Sequence, residues 1–118
     1  MVKVSVLVPF FNSEAQLKSS IDSTLNQTFT DFELILLNDG STDGSEDVVK
    51  SYNDTRIRYY KNEKNLGLSR SRNRLLELAR GEYLAIMDND DFSMPERFAK
   101  QVAYLDKNSD VGCMDRII

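Results

Sequence analysis

The sequence predicts an α/β fold in which helices cover a mostly parallel sheet. Four apolar runs typical of buried strands alternate with segments whose apolar residues recur at helical spacing, which is the pattern of βαβ units. The 118 residues match a common domain size, and 41% hydrophobic with 29% charged residues is a globular composition. Because no repeat, linker or low-complexity tract divides the chain, we expect residues 1–118 to form a single domain.

The first predicted strand is Val4–Val8, whose β-branched residues favour burial on both faces. We expect Pro9 to end it. Ser13 and Gln16 then have the spacing of a capping box, which predicts the start of a helix. Apolar residues recur every four positions after this box, and they extend the predicted helix to about Gln27.

The middle of the chain repeats this order. Phe32–Leu37 is a second apolar run, and it is followed by a short helical pattern around Val49. Ile57–Tyr60 is a third and weaker strand pattern. Residues 62–67 are polar and predict a loop.

The remaining elements follow the same alternation. A helical pattern begins near Leu68, and we expect Gly81 to end it; the fourth strand is then Tyr83–Met87. Ser93–Glu96 has the form of a cap, an early proline and a capping glutamate, so it predicts the start of another helix. Val111–Met114 resembles the start of a further strand, which predicts an exposed sheet edge and a route to homo-oligomers.

Composition excludes several classes of function. The net charge is −4, which argues against a nucleic-acid partner. The sequence contains no histidine, which excludes Ser-His-Asp and Cys-His nucleophiles and leaves oxygen ligands for any metal. A single cysteine, Cys113, makes no internal disulfide and fits the cytoplasm. No apolar run approaches the roughly 20 residues of a transmembrane segment, and no signal-peptide pattern precedes the first strand.

The charges are segregated along the chain. Residues 31–54 carry seven acids and one base, residues 55–80 carry eight bases and two acids, and residues 81–96 carry five acids and no base. Such blocks are either solvated faces or surfaces that hold a polyanion on one side and a cation on the other.

Three polar clusters directly follow predicted strands: Pro9–Asn12, Asn38–Ser41 and Asp88–Asp91. Because ligands of parallel sheets bind at the carboxyl ends of the strands, we expect these clusters to meet at one edge. The three carboxylates of Asp88–Asp91 repel one another unless a cation lies among them, so they are candidates for a divalent-metal site. The alternative is an acidic turn before a helix.

Two further residues of these clusters are candidates for binding a nucleotide. Asp39 can accept a hydrogen bond from a nucleobase imide or a ribose hydroxyl, although the segment that follows it also suits a turn and helix cap. Consecutive aromatics after a strand, such as Phe10 and Phe11, more often pack in the core, but their side chains alternate in direction, so one could stack on a base.

A glycine-containing loop, Asn65-x-Gly67, opens the helix that carries Arg72. Free backbone N–H groups and a forked cation suit phosphates. The alternative is an exposed helix face, because Arg70, Arg72 and Arg74 cannot all point one way.

Together these segments closely resemble the family 2 glycosyltransferases. The similarity covers residues 3–112, and the segments that carry it are Lys3–Asn12, Gln27-Thr28-Phe29, Asn38–Asp43, Asn65-x-Gly67, Arg72-Asn73, Gly81-Glu82-Tyr83, Asp88-x-Asp90-Asp91 and Pro95.

The resemblance implies a GT-A fold and a nucleotide-sugar donor. Phe11 would lie against the base, Asp39 would hydrogen-bond it, usually as uracil, and Arg72 would lie near the base or phosphates. Asp88 would contact ribose or a water-bridged metal, and Asp90 would bind Mn²⁺ or Mg²⁺ with support from Asp91. Further donor contacts are implied in the matching segments at these residues: Pro9, Asn12, Asn65 and Gly67.

The resemblance also implies sugar transfer with inversion to a carbohydrate or lipid-linked acceptor, at the cytoplasmic face of a membrane or in the cytoplasm. Phe11 stands where the family commonly has Tyr, and Asn38 replaces a frequent Asp. Because family members are longer, we expect this chain to be the donor half, with the general base beyond Ile118. The alternatives are a catalytically silent nucleotide-binding module and a nucleotidyltransferase. The latter would usually carry glycine and basic residues in the first loop, which Pro9–Asn12 lacks.

Overall fold

The computed structural model describes residues 2–88 and 92–107. In this part of the chain, strands and helices alternate as predicted. The elements are β1 (Val4–Phe10), α1 (Glu14–Leu25), β2 (Phe32–Asn38), α2 (Ser45–Lys50), β3 (Ile57–Lys61), α3 (Leu68–Leu78), β4 (Tyr83–Ile86) and α4 (Arg97–Lys107).

The four strands form a parallel sheet in the order β3-β2-β1-β4. Strand β1 pairs with β2 along its whole length, from Val4 opposite Phe32 to Phe10 opposite Asn38. Its first four residues also pair with β4. Since β1 is hydrogen-bonded on both sides and covered on both faces, its apolar composition is explained and the α/β prediction is confirmed.

The core lies on both faces of this sheet. Val4, Val6 and Val8 pack with buried residues of α1, α2 and α4 on one face. Leu7 packs on the other face with Leu75 of α3 and with residues of β2. Successive side chains of a strand point to opposite faces, so β1 contributes to both layers.

Pro9 lies inside β1, so the prediction that it ends the strand is wrong. Leu7 accepts a hydrogen bond from the backbone N–H of Met87, on the β4 side. Alternation puts Pro9 on that same side, but β4 ends at Ile86. The N–H that proline lacks therefore falls beyond the last rung of this ladder and costs no hydrogen bond.

The predicted capping box of α1 is absent. Ser13 does precede the helix, but its hydroxyl donates to the carbonyl of Phe11 at 3.1 Å. The backbone N–H of Gln16 donates instead to the backbone carbonyl of Ser13 at 3.1 Å. The helix ends at Leu25, two residues before the predicted end.

Gly81 does not end α3, contrary to the prediction. The helix ends at Leu78, and Ala79 follows it in an extended conformation. Gly81 packs instead against β1, where a Cβ atom would lie 2.5 Å from the backbone nitrogen of Ser5. Glycine is therefore required at this position by close backbone contact rather than by a helix terminus.

Helix α4 begins at Arg97, after the residues that the sequence suggested as its cap. Gln27 performs that function from a distant part of the chain. Its side-chain oxygen accepts from the N–H of Phe98 at 3.1 Å, and its amide nitrogen donates to the carbonyl of Met94 at 2.7 Å.

The predicted strand Val111–Met114 and its sheet edge lie outside the described residues. None of the helices in residues 2–88 and 92–107 has the length and apolar character needed to cross a membrane.

Candidate functional site

The candidate site lies at the carboxyl edge of the sheet, where β1, β2 and α3 meet in a cleft of about 300 Å³. The cleft is lined by residues from the end of β1, from the loops after β1, β2 and β3 and from the start of α3: Pro9, Phe10, Phe11, Asp39, Asn65, Gly67, Leu68 and Ser71. Five of the residues suggested by sequence therefore line one cleft: Pro9, Phe11, Asp39, Asn65 and Gly67.

The two consecutive phenylalanines have different environments. The Phe10 side chain belongs to the core and is 3% exposed, whereas Phe11 is 44% exposed at the cleft. Because adjacent strand residues point to opposite sides, burial of Phe10 directs Phe11 outward. An exposed ring beside a polar group is suited to stacking on a planar ligand.

Asp39 is buried, and its carboxylate holds the loop between β3 and α3. Oδ1 accepts from the Nδ2 of Asn62 at 2.9 Å and from the N–H of Leu66 at 2.8 Å, and Oδ2 accepts from the N–H of Gly67 at 3.0 Å. An ionised carboxylate has about four acceptor positions. Three are occupied by these bonds, and among the described residues no donor takes the fourth, on Oδ2. Asp39 lines the cleft.

Asn38 and Gly40 bring the loop after β2 close to the loop after β3. The Asn38 side chain accepts from the N–H of Ser41 at 2.8 Å and donates to the hydroxyl of Tyr59 at 3.0 Å. Gly40 has a φ of 76°, and a Cβ atom there would lie 2.7 Å from the backbone nitrogen of Asn65. Asn38, the last residue of β2, thus has a neutral side chain that both donates and accepts, which a carboxylate could not do.

Asn12 does not line the cleft, although the resemblance implied a donor contact. It has a φ of 48°, and its Oδ1 accepts from the backbone N–H groups of Thr42 at 2.8 Å and Asp43 at 3.3 Å. Its own N–H donates to the hydroxyl of Ser41 at 2.9 Å. Asn12 therefore joins the loop after β1 to the loop after β2.

Arg72 and Asp88 also lie outside the cleft lining, and they contact each other. An Nη2 atom of Arg72 lies 3.7 Å from an oxygen of Asp88, and both side chains are substantially exposed. An exposed carboxylate is the type of ligand that Mg²⁺ and Mn²⁺ take, so Asp88 is compatible with a divalent ion. Asp90 and Asp91 lie outside the described residues, and the part that is described contains no group of three or more potential metal ligands.

One residue of this site, Asn62, was not recognised in the sequence, and Arg74 was considered there only as one of three arginines that cannot all point one way. Asn62 is 3% exposed, and it donates to Asp39 and to the hydroxyl of Ser71. Arg74 donates to the side-chain oxygen of Asn62 at 2.5 Å. A signal was available for Asn62, because it directly follows β3 just as Asp39 follows β2.

Tyr59, the partner of Asn38, belongs to an ionic cluster around Glu46. The hydroxyl of Tyr59 donates to Glu46 at 2.7 Å, and Lys61 and Lys50 pair with the same carboxylate. The hydrogen bonds from Tyr59, Lys61 and Lys50 lower the pKa of Glu46 to about 2. Burial, together with Glu46, raises the pKa of Tyr59 to about 12, so the phenol remains protonated at neutral pH.

A second cavity of about 550 Å³ runs along α1 beside Phe92 and Pro95. Its lining includes none of the residues that the sequence suggested for a site. The first cleft therefore remains the candidate.

Comparison with known proteins connects this cleft to one family. Residues 5–118 match the model described as glycosyl transferase family 2. An uncharacterised glycosyltransferase of Methanocaldococcus jannaschii is 43% identical over 115 residues, which are 94% of this chain and 40% of that protein. Escherichia coli WfgD, named UDP-Glc:alpha-D-GlcNAc-diphosphoundecaprenol beta-1,3-glucosyltransferase, is 33% identical across 90% of this chain and 42% of its own.

The fold of this chain is also similar to solved structures of S. aureus TarS. The crystal structure of S. aureus TarS 1–349 in complex with UDP-GlcNAc matches 92% of this chain with a TM-score of 0.87 and 31% identity, over 32% of that chain. The same protein in complex with UDP matches with a TM-score of 0.86. The chain spans well under half the length of the relatives that it matches.

Proposed function

The chain belongs to glycosyl transferase family 2, and from this we propose that it binds the donor of an inverting glycosyltransferase that uses a UDP-sugar. The observation that carries the proposal is the carboxylate of Asp39, which accepts three hydrogen bonds and lines the same cleft as the exposed ring of Phe11. One crystallised relative, TarS, has been solved with UDP and with UDP-GlcNAc, which supports a uridine donor.

In this proposal the uracil ring stacks on Phe11 while its N3–H donates to Asp39. Cytosine presents an acceptor at N3, so the carboxylate of Asp39 would repel it. Pro9, Asn65 and Gly67 complete the lining around the base. Asn12 acts indirectly, because its side chain holds the loop that follows Asp39 in the chain.

The diphosphate would lie toward Arg72 and Asp88, at the end of β4. Asp88, Asp90 and Asp91 would hold Mn²⁺ or Mg²⁺, and Arg72 supplies a forked cation beside them. A divalent ion bound there would neutralise charge on the departing diphosphate. All the candidate ligands are carboxylate oxygens, which are the ligands that these hard cations prefer.

Transfer would proceed by attack of an acceptor hydroxyl on the anomeric carbon, from the face opposite the diphosphate. A general base removes the hydroxyl proton as this bond forms, and none of the residues in the cleft is assigned that role. We propose a carbohydrate or lipid-linked acceptor, as the E. coli relative's diphosphoundecaprenol-linked substrate suggests. We also propose that transfer takes place on the cytoplasmic side.

Isothermal titration calorimetry tests the proposal with UDP and CDP, each in Mn²⁺ and in chelator. We expect UDP to bind more tightly than CDP and more tightly with Mn²⁺. Asp39→Ala should reduce the preference for UDP about tenfold, the value of one hydrogen bond to a charged group. The matched control is Asp47→Ala, which removes an exposed acid on α2.

Equal binding of UDP and CDP by the unmodified chain would refute the assignment of Asp39. Equal binding of UDP with Mn²⁺ and with chelator would refute the metal site. Because Asp39 holds a loop, circular dichroism should accompany each titration of its variant.

A further inference from the structure

A chain of hydrogen bonds leads from the surface of α3 to the carboxylate of Asp39. Arg74 donates to the Oδ1 of Asn62 at 2.5 Å, and Asn62 donates from Nδ2 to the Oδ1 of Asp39 at 2.9 Å. The middle residue is buried, whereas Arg74 is only half-buried. These hydrogen bonds therefore connect the permanent positive charge of Arg74 to the carboxylate of Asp39, which is proposed to recognise the base.

The orientation of the Asn62 amide follows from its partners. A guanidinium can only donate and an ionised carboxylate can only accept, so the amide oxygen must face Arg74 and the amide nitrogen must face Asp39. The second N–H of that nitrogen donates to the hydroxyl of Ser71 at 3.3 Å. In this orientation both N–H groups of the Asn62 amide donate hydrogen bonds, and its oxygen accepts one from Arg74.

Arg74 is itself held in place. Its Nη1 lies 3.4 Å from the carbonyl of Lys61, and its guanidinium carbon lies 5.8 Å from the centre of the Tyr60 ring. Arg58 approaches the same ring at 5.4 Å. A charged donor on the amide oxygen polarises the amide and strengthens the bond that its N–H makes to Asp39.

We propose that Arg74 is a positioning residue that acts through Asn62 on Asp39 and thereby sets the preference of the cleft for a base with a ring N–H donor. This inference rests on the proposed function. With Arg74 in place, Asn62 occupies Oδ1 of Asp39 and leaves the open acceptor position on Oδ2. Without the guanidinium the amide of Asn62 is less polarised, so its N–H bond to Asp39 is weaker and aligns the carboxylate less firmly.

The effect is specific to the donor pattern of the base. UDP gains from a correctly aligned acceptor, because uracil presents N3–H, whereas CDP presents an acceptor at that position and gains nothing. Loss of the alignment of Asp39 should therefore weaken the binding of UDP and leave the binding of CDP nearly unchanged. If Arg74 had only a general structural role, its loss would weaken the binding of both nucleotides equally.

The test measures dissociation constants for UDP and CDP by calorimetry, together with the melting temperature of each variant. Arg74→Met should weaken binding of UDP about threefold and lower the ratio of UDP to CDP affinity by the same factor, which is less than the loss of about tenfold expected for Asp39→Ala. Arg74→Lys keeps the charge without the fork and should give an intermediate ratio. The matched control is Arg70→Met, one helical turn earlier on α3 and exposed, which should leave both affinities unchanged.

Equal weakening of UDP and CDP by Arg74→Met, or weakening of neither, would overturn the inference. Should that variant fail to fold, an unchanged ratio in Arg74→Lys would overturn it as well. If the unmodified chain does not prefer UDP, the proposed function itself fails. A preference that survives every Arg74 variant refutes the positioning role alone.

Discussion

At the scale of single residues, Phe10 and Phe11 illustrate how adjacent identical side chains acquire different functions. Phe10 completes the core on one face of the sheet, while Phe11 projects into the cleft. The ring of Phe11 is therefore available for the proposed stacking, and because it is exposed it contributes little to folding. Its hydroxyl-free ring should still bind a base, because stacking requires only the aromatic face.

Replacing Phe11 tests that role. Phe11→Ala should weaken UDP binding about fivefold or more, since stacking of a base on an aromatic ring contributes about 1–3 kcal/mol. Phe11→Tyr should bind UDP with little change, and the exposed Phe92, on the other cavity, supplies the control variant Phe92→Ala. Calorimetry with UDP makes the comparison. Similar affinities for Phe11→Ala and Phe92→Ala would contradict stacking.

At the scale of secondary structure elements, the start of α4 depends on a residue that follows α1. Gln27 is buried and donates to Met94 and accepts from Phe98, while the backbone N–H of Thr28 donates to the carbonyl of Pro95 at 2.8 Å. The segment that follows the acidic cluster is thereby attached to the end of α1. Helix α4 begins without the side-chain cap that its own sequence suggested.

Substitution of Gln27 should accordingly destabilise the fold. Gln27→Ala leaves the buried N–H of Phe98 and the carbonyl of Met94 without this partner, and it should lower the free energy of unfolding by about 2–3 kcal/mol. Gln16→Ala, an exposed glutamine of α1, is the control and should change it by less than about 0.5 kcal/mol. Urea unfolding at constant m-value gives both numbers. Equal midpoints for the two variants would show that Gln27 does not stabilise α4.

At the scale of the whole molecule, the segregated charges of the sequence are partly paired across the sheet. The acidic block contains β2 and α2, the basic block contains β3 and α3, and β2 lies beside β3. Glu33 pairs with Arg58 at 2.7 Å and Glu46 pairs with Lys61 at 2.9 Å. Part of each block therefore neutralises the other, a role that neither of the two sequence-based interpretations included.

These pairs predict that stability falls in acid. Hydrogen bonds from Tyr59, Lys61 and Lys50 lower the pKa of Glu46 from 4.5 to about 2. Burial raises the pKa of Glu33, but hydrogen bonds from Ser5, Arg80 and Arg58 outweigh it, so the pKa is lowered overall. Because Glu46 and Glu33 bind protons more readily in the unfolded chain, their contribution to stability is fully present above about pH 4.5. That contribution is lost as the pH falls toward 2.

Urea unfolding between pH 7 and pH 3 measures this dependence. The midpoint should be nearly constant above pH 5 and decrease below it, and Glu46→Gln should reduce the slope between pH 4.5 and 3. The exposed Glu77→Gln is the control. A midpoint that rises as the pH falls would contradict the assigned pKa directions.

The sequence by itself determined the features that depend on neighbours along the chain. Apolar runs and helical spacing predicted each described strand and helix, and the polar residues directly after strands led to Asp39 and to the edge where it lies. The charged clusters were located in the same way, including Asp88, although Asp90 and Asp91 lie outside the described residues. These predictions succeed because periodicity and strand ends are local properties.

Only the tertiary structure decided the contacts between residues that are distant in the chain. The cap of α4 by Gln27, the packing of Gly81 on Ser5 and the bonds from Asn62 to Asp39 join positions 71, 76 and 23 residues apart. Sequence patterns assigned Ser93–Glu96 and Gly81 to helix termini, because each residue type suits a terminus locally. The fold used other partners, since a buried polar group is satisfied by whichever donor or acceptor the packing brings within reach.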